Sequence, residues 1–269
     1  MSSVTDTCID LSGLQLSASV IASGDRPWLT LLHSLATDSR LWQPQVEPLA
    51  RSFNLLLLDM RGHGKSAVLP PPYSWEDLVG DVLECWNNLG IRRSAVLGLS
   101  IGGMVALGLA LDHRNRVTRI VAADCRADAP DWFRDMFGER QEMVRERGMA
   151  GVLEPTLASW LTEPTRTERP DIVEAATEMI LNTSVDGYLG ATEALKKLAF
   201  LPRLAEIETP ALLVVGEEDG PHPAAMAEMA DAIGGARLET IAGAAHLSNL
   251  ERSETFTGIV AGWLEEAIP

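Results

Sequence analysis

The chain of 269 residues has little cysteine, and its cysteines form no pattern. Cys8, Cys85 and Cys125 are an odd number of widely spaced thiols, with no Cys-x-x-Cys pair among them. A disulfide framework needs an even set of cysteines, and a structural zinc site needs closely spaced pairs. We therefore expect neither, and we interpret the three residues as ordinary reduced thiols.

Positive charge is also scarce. Lys and Arg total 22 against 38 Asp and Glu, which gives a formal net charge of -16. Nucleic acids and anionic membrane surfaces attract basic proteins, so neither is expected as a partner. The acidic surface is best explained by solubility.

Long apolar runs are missing as well. No stretch reaches the roughly 18 consecutive apolar residues of a transmembrane helix. The first residues lack the basic start and apolar stretch of a secretory signal. We therefore expect a cytoplasmic protein without a membrane partner.

Strand-like and helix-like segments alternate along the chain. A hairpin is expected over residues 7 to 22, around Ser12 and Gly13. Further strand-like runs lie at residues 28 to 33, 53 to 59, 94 to 99, 116 to 124, 211 to 216 and 236 to 240. Helical patterns lie at residues 42 to 50, from Ser74 onward with Asp77 in a capping box, and at 101 to 112. Several strands are continuously apolar, so the pattern predicts an α/β fold with a mainly parallel, doubly wound sheet.

One interval is too long for this alternation. About 85 residues separate the strand that ends near Asp124 from the strand that begins at 211, and a whole strand-helix-strand unit takes roughly 30. The surplus is helical and amphipathic, with breaks at proline and glycine. We expect a core of residues 1–125 and 210–269, with a helical cap of residues 126–209 inserted over the carboxyl ends of the strands.

The segment GLSIGG, residues 98 to 103, places Ser100 between two glycines after a strand-like run and before a helix-like run. A nucleophile elbow has this context, because its serine sits on a strained strand-to-helix turn that admits only very small neighbours. An ordinary glycine-rich turn is the alternative. The position between strand and helix favours a nucleophile.

A serine hydroxyl becomes a good nucleophile only when a base can take its proton. His246 stands on a loop between a strand and a helix, and Asp219 directly follows the strand that ends at 216. The order Ser100, Asp219, His246 is the order that the elbow motif predicts. Asp219 could instead only form the turn, and Asp124, at the end of the preceding strand, is a second candidate acid.

A tetrahedral intermediate needs hydrogen-bond donors for its oxyanion. We expect them to be the backbone N–H groups of Ile101 and Leu35, with His33 bracing the loop that carries Leu35. The segment 59 to 66 has a Gly-Lys-Ser run that suggests a phosphate loop. Asp59 stands where the first glycine of that motif belongs, so a turn is the better interpretation.

Five segments spread over nearly the whole chain carry a resemblance to a known family. They are HSLATD (33 to 38), DMRGHGKS (59 to 66), GLSIGGMVALGLAL (98 to 111), GEED (216 to 219) and AAHLSNLERSETF (244 to 256). These segments resemble the α/β-hydrolase fold family. Within it, the chain is most similar to the 3-oxoadipate enol-lactonases of aromatic catabolism, which share SLATDSRLWQPQ (34 to 45) and the Ser-Asn and Glu-Arg pairs after the histidine. It departs from them at His33, Ala36 and residues 124 to 133.

The resemblance implies a hydrolase of esters or lactones that needs no metal and no organic cofactor. Its partner is then a small-molecule substrate, and an enol-lactone of this kind carries a free carboxylate. Arg126 and Arg134 are candidates to bind that carboxylate, and Trp132 and Trp160 to line the pocket.

Three alternatives stay open. The same three residues could cleave an amide, a thioester or a carbon-carbon bond. The fold also supports perhydrolases, cofactor-free oxygenases and slow-turnover ligand receptors. The oligomeric state is not determined by the sequence, so a homodimer is open.

Overall fold

Eight strands of one sheet form the centre of the molecule, whose computed structural model describes residues 4–11 and 13–266. The strands are β1 (Val4–Leu11), β2 (Leu14–Ile21), β3 (Trp28–Leu32), β4 (Asn54–Leu58), β5 (Ser94–Leu99), β6 (Val117–Ala123), β7 (Ala211–Gly216) and β8 (Arg237–Ile241). The strands predicted from 28 onward agree with these bounds to within one residue at each end. The predicted hairpin is present as β1 and β2, but its turn residue Ser12 lies outside the described residues.

The order of the strands in the sheet is β1-β2-β4-β3-β5-β6-β7-β8. The pairs β1–β2 and β2–β4 are antiparallel, and the other neighbouring pairs are parallel. Every residue of β4, β5 and β7 is buried, as continuously apolar strands of a covered sheet require. The predicted mainly parallel α/β sheet is confirmed.

Helices connect the strands. They are α1 (Gln43–Leu49), α2 (Trp75–Asn88), α3 (Ile101–Asp112), α4 (Asp131–Arg147), α5 (Ala150–Trp160), α6 (Glu163–Glu168), α7 (Pro170–Asn182), α8 (Val185–Lys196), α9 (His222–Ala232), α10 (Ser248–Glu251) and α11 (Ser253–Glu265). The predicted capping box of α2 is present: the Ser74 hydroxyl accepts from the Asp77 N–H, and the Asp77 carboxylate accepts from the Ser74 N–H. Within the described ranges, no helix has the length and apolarity to cross a membrane.

Five of these helices, α4 to α8, lie between β6 and β7. An isolated antiparallel bridge joins Asp128 to Ala199, so the segment leaves and rejoins the sheet region at neighbouring points. Helix α4 packs against both α5 and α8, and α5 packs against α7. The insertion is therefore a helical layer with contacts of its own.

The parallel strands β3 and β5 to β8 run in the same direction, so the loops that follow them meet at one edge of the sheet. Leu35, Ser100, Asp124, Asp219 and His246 all lie on those loops or at their junctions with helices. The fold thus brings together residues that are far apart in the sequence.

Candidate active site

Ser100 occupies the sharp turn between β5 and α3. Its backbone has φ 55° and ψ -118°, a left-handed conformation that costs free energy for a residue with a side chain. A Cβ atom added at Gly98 would meet the carbonyl oxygen of Gly102, and one added at Gly102 would meet the carbonyl of Leu32. The two glycines are therefore required by close backbone approaches, as the elbow interpretation expected.

Asp219 and His246 are in direct contact. The Nδ1 atom of His246 lies 2.9 Å from Oδ2 and 3.1 Å from Oδ1 of Asp219. Both side chains are buried: 8% of the His246 side chain and 4% of the Asp219 side chain is exposed. A carboxylate that accepts the Nδ1 proton leaves Nε2 as the basic nitrogen of the ring, which is the tautomer that a general base needs.

The surroundings of Asp219 favour its ionised form. Burial raises the pKa of the Asp219 carboxyl, but the charge of His246 and the hydrogen bonds from His222 and His246 outweigh this and hold the pKa below its ordinary value. Asp219 can therefore orient His246 and stabilise its protonated form.

Asp124, the alternative acid, has other partners. Its carboxyl accepts a hydrogen bond from the Gly216 N–H at 2.7 Å and pairs with the Ser248 hydroxyl. Burial and the nearby charge of Asp219 raise the pKa of Asp124 well above its usual range. The geometry favours Asp219 over Asp124 as the partner of His246.

The two expected oxyanion donors are buried backbone amides. Ile101 is the first residue of α3, and Leu35 lies in the loop after β3. Neither N–H donates a hydrogen bond within the part of the chain that the structure describes. Leu35 lines the same cavity as Ser100, and the oxyanion role of the two amides stays a prediction.

His33 braces the Leu35 loop, as expected from the sequence. Its Nε2 accepts a hydrogen bond from the Met60 N–H at 2.9 Å, so Nδ1 carries the proton and donates to the Ser34 carbonyl at 2.7 Å. The neighbouring segment 59 to 66 forms a turn: the Asp59 carboxylate accepts from the N–H groups of Ser39 and Lys65. A Cβ atom at Gly64 would meet Asp59 of the same turn, and one at Gly62 would meet the backbone of Gly187 in α8.

A cavity of about 330 Å³ adjoins these residues. Ser100, Leu35, Asp219 and His246 line it together with apolar side chains of the inserted helices. Those include Trp132, Phe133, Met136, Phe137 and Trp160. Its volume suits a small metabolite, and most of its wall is apolar.

Of the four residues expected to bind substrate, two line the cavity. Trp132 is 45% exposed at the cavity, and the ring of Trp160 stacks on that of His246 with centroids 6.0 Å apart. Arg126 and Arg134 do not line it. Arg126 is paired with Asp128 at 2.6 Å beneath the Trp132 ring, and Arg134 bonds Asp131 and the Ala129 carbonyl at the start of α4.

Arg140, and not Arg126 or Arg134, places an arginine at the cavity wall. It is the only arginine or lysine among the described residues that line the cavity, and its guanidinium lies 5.9 Å from the centre of the Phe137 ring. It stands on α4 seven residues after Phe133. Helical spacing of α4 could have found it, because Phe133, Phe137 and Arg140 fall on one face at steps of three and four.

Two further residues of the site were not predicted from the sequence. His222 begins α9, and its Nδ1 lies 3.2 Å from Oδ1 of Asp219. Glu251 is buried and accepts hydrogen bonds from the N–H of Ala245 and from the N–H and hydroxyl of Thr162. Glu251 thereby ties the loop of His246 to the inserted helices, a contact between residues 89 positions apart.

The mainly parallel sheet, with Ser100 on the turn between β5 and α3, is the architecture of the α/β-hydrolase class. Residues 27–253 match the model of the alpha/beta hydrolase fold family. The chain is 30% identical to 3-oxoadipate enol-lactonase 1 of Acinetobacter baylyi, over 94% of each chain. It is 27% identical to the putative carbamate hydrolase RutD of Yersinia enterocolitica, over 88% of this chain and 86% of that one.

A solved structure is similar over the same length. The crystal structure of the enol-lactonase from Burkholderia xenovorans LB400 superposes with a TM-score of 0.92 at 32% identity, covering 96% of this chain and 99% of that chain. The chain belongs to the alpha/beta hydrolase fold family, and it is a hydrolase. The predicted family resemblance is confirmed.

Proposed function

We propose that this protein hydrolyses an ester or lactone of a small, carboxylate-bearing metabolite through Ser100, His246 and Asp219. The observation that carries the proposal is the Asp219–His246 pair, which lines the same cavity as Ser100 at its strained turn. The similarity to enol-lactonases supports a lactone as the substrate. No metal or organic cofactor is required by this chemistry.

In the proposed mechanism, the Ser100 hydroxyl attacks the substrate carbonyl carbon while Nε2 of His246 takes its proton. The oxyanion is held by the N–H groups of Leu35 and Ile101. His246 then returns the proton to the leaving oxygen, which in a lactone stays attached to the acyl group. Water attacks the resulting acyl-enzyme with His246 again as the base, releasing a carboxylic acid and free Ser100.

We propose that the segment 126–209 acts as a cap on a core of residues 1–125 and 210–269, and that it selects the substrate. Its helix α4 contributes aromatic side chains and Arg140 to the cavity wall. A guanidinium at an apolar wall is suited to hold a carboxylate by paired hydrogen bonds. Arg140 therefore replaces Arg126 and Arg134 as our candidate for the substrate carboxylate.

The test is a substrate panel measured with purified protein and with Ser100→Ala. The panel contains carboxylate-bearing lactones, neutral lactones, p-nitrophenyl acetate, amides and carbamates. We expect hydrolysis of lactones and esters, fastest for those that carry a carboxylate, and loss of this activity in Ser100→Ala. Full activity in the alanine variant would refute the mechanism. Activity on carbamates alone would instead favour the reaction named for the relative RutD, a putative carbamate hydrolase.

A further inference from the structure

Asp219, His222 and His246 converge at the cavity wall. Nδ1 of His246 lies 2.9 Å from Oδ2 of Asp219, and Nδ1 of His222 lies 3.2 Å from Oδ1 of the same carboxylate. The two imidazole rings have centroids 5.1 Å apart. One candidate ligand atom from each residue can be chosen so that all lie within 4.8 Å of one another.

From this geometry we propose that Asp219, His222 and His246 bind a divalent transition-metal ion, with Zn²⁺ the best fit, and that the bound ion inhibits hydrolysis. The inhibition rests on the proposed role of His246, whereas the binding does not. The ion is a regulator or inhibitor in this proposal, and the hydrolytic reaction proceeds without it.

The donor set determines which metals fit. Two imidazole nitrogens and one carboxylate oxygen suit Zn²⁺, Ni²⁺ or Cu²⁺, whereas Mg²⁺ and Ca²⁺ prefer oxygen ligands alone. Ligand atoms about 2.0–2.2 Å from a tetrahedral zinc ion are separated by about 3.3–3.5 Å. Oδ1 of Asp219 lies 3.1 Å from Nδ1 of His246 and 3.2 Å from Nδ1 of His222, so both nitrogen-oxygen distances need to open by only a few tenths of an ångström. All three ligand atoms lie within 4.8 Å of one another. Since all three residues line the cavity, water or a ligand can complete the coordination.

The site is also electrostatically suited to a cation. The side chains of Asp219, His222 and His246 are 4%, 14% and 8% exposed, so the ion would be shielded from bulk water yet reachable through the cavity. The carboxylate of Asp219 carries a full negative charge once it is ionised. Neutral imidazole is the form that binds metal, so protons compete with the ion as the pH falls.

A metal on Nδ1 of His246 changes what the ring can do. A neutral imidazole with Nδ1 bound to metal carries its proton on Nε2. Nε2 then donates a hydrogen bond and cannot accept the proton of Ser100. Metal binding therefore shifts the ring proton of His246 from Nδ1 to Nε2 and changes nothing covalently. Removal of the ion by a chelator should therefore restore activity.

The experiment uses the full chain in a Cys8→Ser background, which removes an exposed thiol as a competing zinc ligand. Binding of ZnCl₂ is measured by calorimetry, and binding of CoCl₂ by the visible absorption of four-coordinate cobalt. His222→Gln removes one ligand, and His113→Gln, at the end of α3, is the matched control. His222→Asn serves as a second variant if His222→Gln does not fold.

We expect one zinc ion per chain, weakened about 100-fold or more by His222→Gln and unchanged by His113→Gln. Zinc should inhibit the parent protein reversibly, at concentrations that leave His222→Gln at its own zinc-free rate. Equal zinc affinity in parent and His222→Gln, or no cobalt spectrum, would overturn the site. Zinc binding without inhibition would overturn the proposal that the ion inhibits hydrolysis. Both binding readouts are independent of catalysis, so a failed Ser100→Ala test would leave them intact.

Discussion

The carboxyl groups of Asp124 and Asp219 follow the neighbouring parallel strands β6 and β7, and their surroundings shift their pKa values in opposite directions. Burial and the charge of Asp219 raise the pKa of Asp124, while the two histidines hold the pKa of Asp219 below its ordinary value despite its burial. Asp219 binds His246, and Asp124 binds Gly216 and Ser248. The loops after two adjacent strands thus carry two carboxyl groups, Asp124 and Asp219, with different hydrogen-bond partners.

Asparagine substitutions should separate these two acids. Asp219→Asn should lower kcat by a factor of about 10³ to 10⁴, because the amide cannot hold His246 in the required tautomer. Asp124→Asn should stay within about threefold of the parent rate, because the asparagine oxygen can accept from the Gly216 N–H and its amide N–H can donate to the Ser248 hydroxyl, which donates to Asp124 in the parent. Steady-state kinetics on an activated ester measure both. A large loss at position 124 with none at 219 would reverse the assignment.

Arg140→Gln should raise KM for a carboxylate-bearing lactone about 10-fold or more, because a charged hydrogen-bonded pair is lost. KM for a neutral ester should change little. Arg134→Gln is the matched control, since Arg134 lies on the same helix but outside the cavity wall. An equal rise in KM for both substrates would mean that Arg140 shapes the cavity and does not bind a carboxylate.

The strained backbone at position 100 predicts a difference between two inactive variants. Ser100→Gly should be more stable than Ser100→Ala by about 1 kcal/mol, because glycine adopts φ 55° without steric cost. The free energy of unfolding from urea titration measures the difference. If Ser100→Ala were the more stable variant, the turn would hold no strain.

The elbow glycines should not tolerate even a methyl group. Gly102→Ala should lower the free energy of unfolding by about 3 kcal/mol or more, since its Cβ would meet the Leu32 carbonyl. Gly138→Ala in α4 is the control: a Cβ there meets nothing within 4 Å, and helix propensity should add about 0.5–1 kcal/mol. Thermal and urea unfolding of both variants tests the contrast, which fails if Gly102→Ala is as stable as the parent.

His63 should make stability fall as the solution becomes acidic. Burial, and secondarily the proximity of His33, lower the pKa of His63 to about 3. Between about pH 6.5 and about pH 3, His63 is protonated in the unfolded chain but neutral in the folded state. The free energy of unfolding therefore decreases as the pH falls through this window. His63→Gln should flatten the dependence of unfolding free energy on pH, and the partly exposed His113→Gln should not. Parallel curves for parent and His63→Gln would contradict this.

The sequence was sufficient for the parts of the fold that depend on local pattern. The strands β3 to β8 and the capping box of α2 follow from apolar runs and capping residues within short windows. Ser100, Asp219 and His246 could be predicted as a set because each lies on the turn or loop that follows a strand, in a known chain order. Helical spacing groups Arg140 with Phe133 and Phe137 on one face of α4, but only the packing of the inserted helices shows that this face lines the cavity.

By itself, then, the sequence determined the α/β sheet, the sharp strand-to-helix turn at Ser100 and the order of the candidate residues, since these depend on neighbours along the chain. The tertiary structure decided that Asp219 and not Asp124 contacts His246, that Arg140 lines the cavity, and that His222 joins the pair. Those relations depend on distances of a few ångströms between residues far apart in the chain. Only the packing of the strands and the inserted helices establishes such distances.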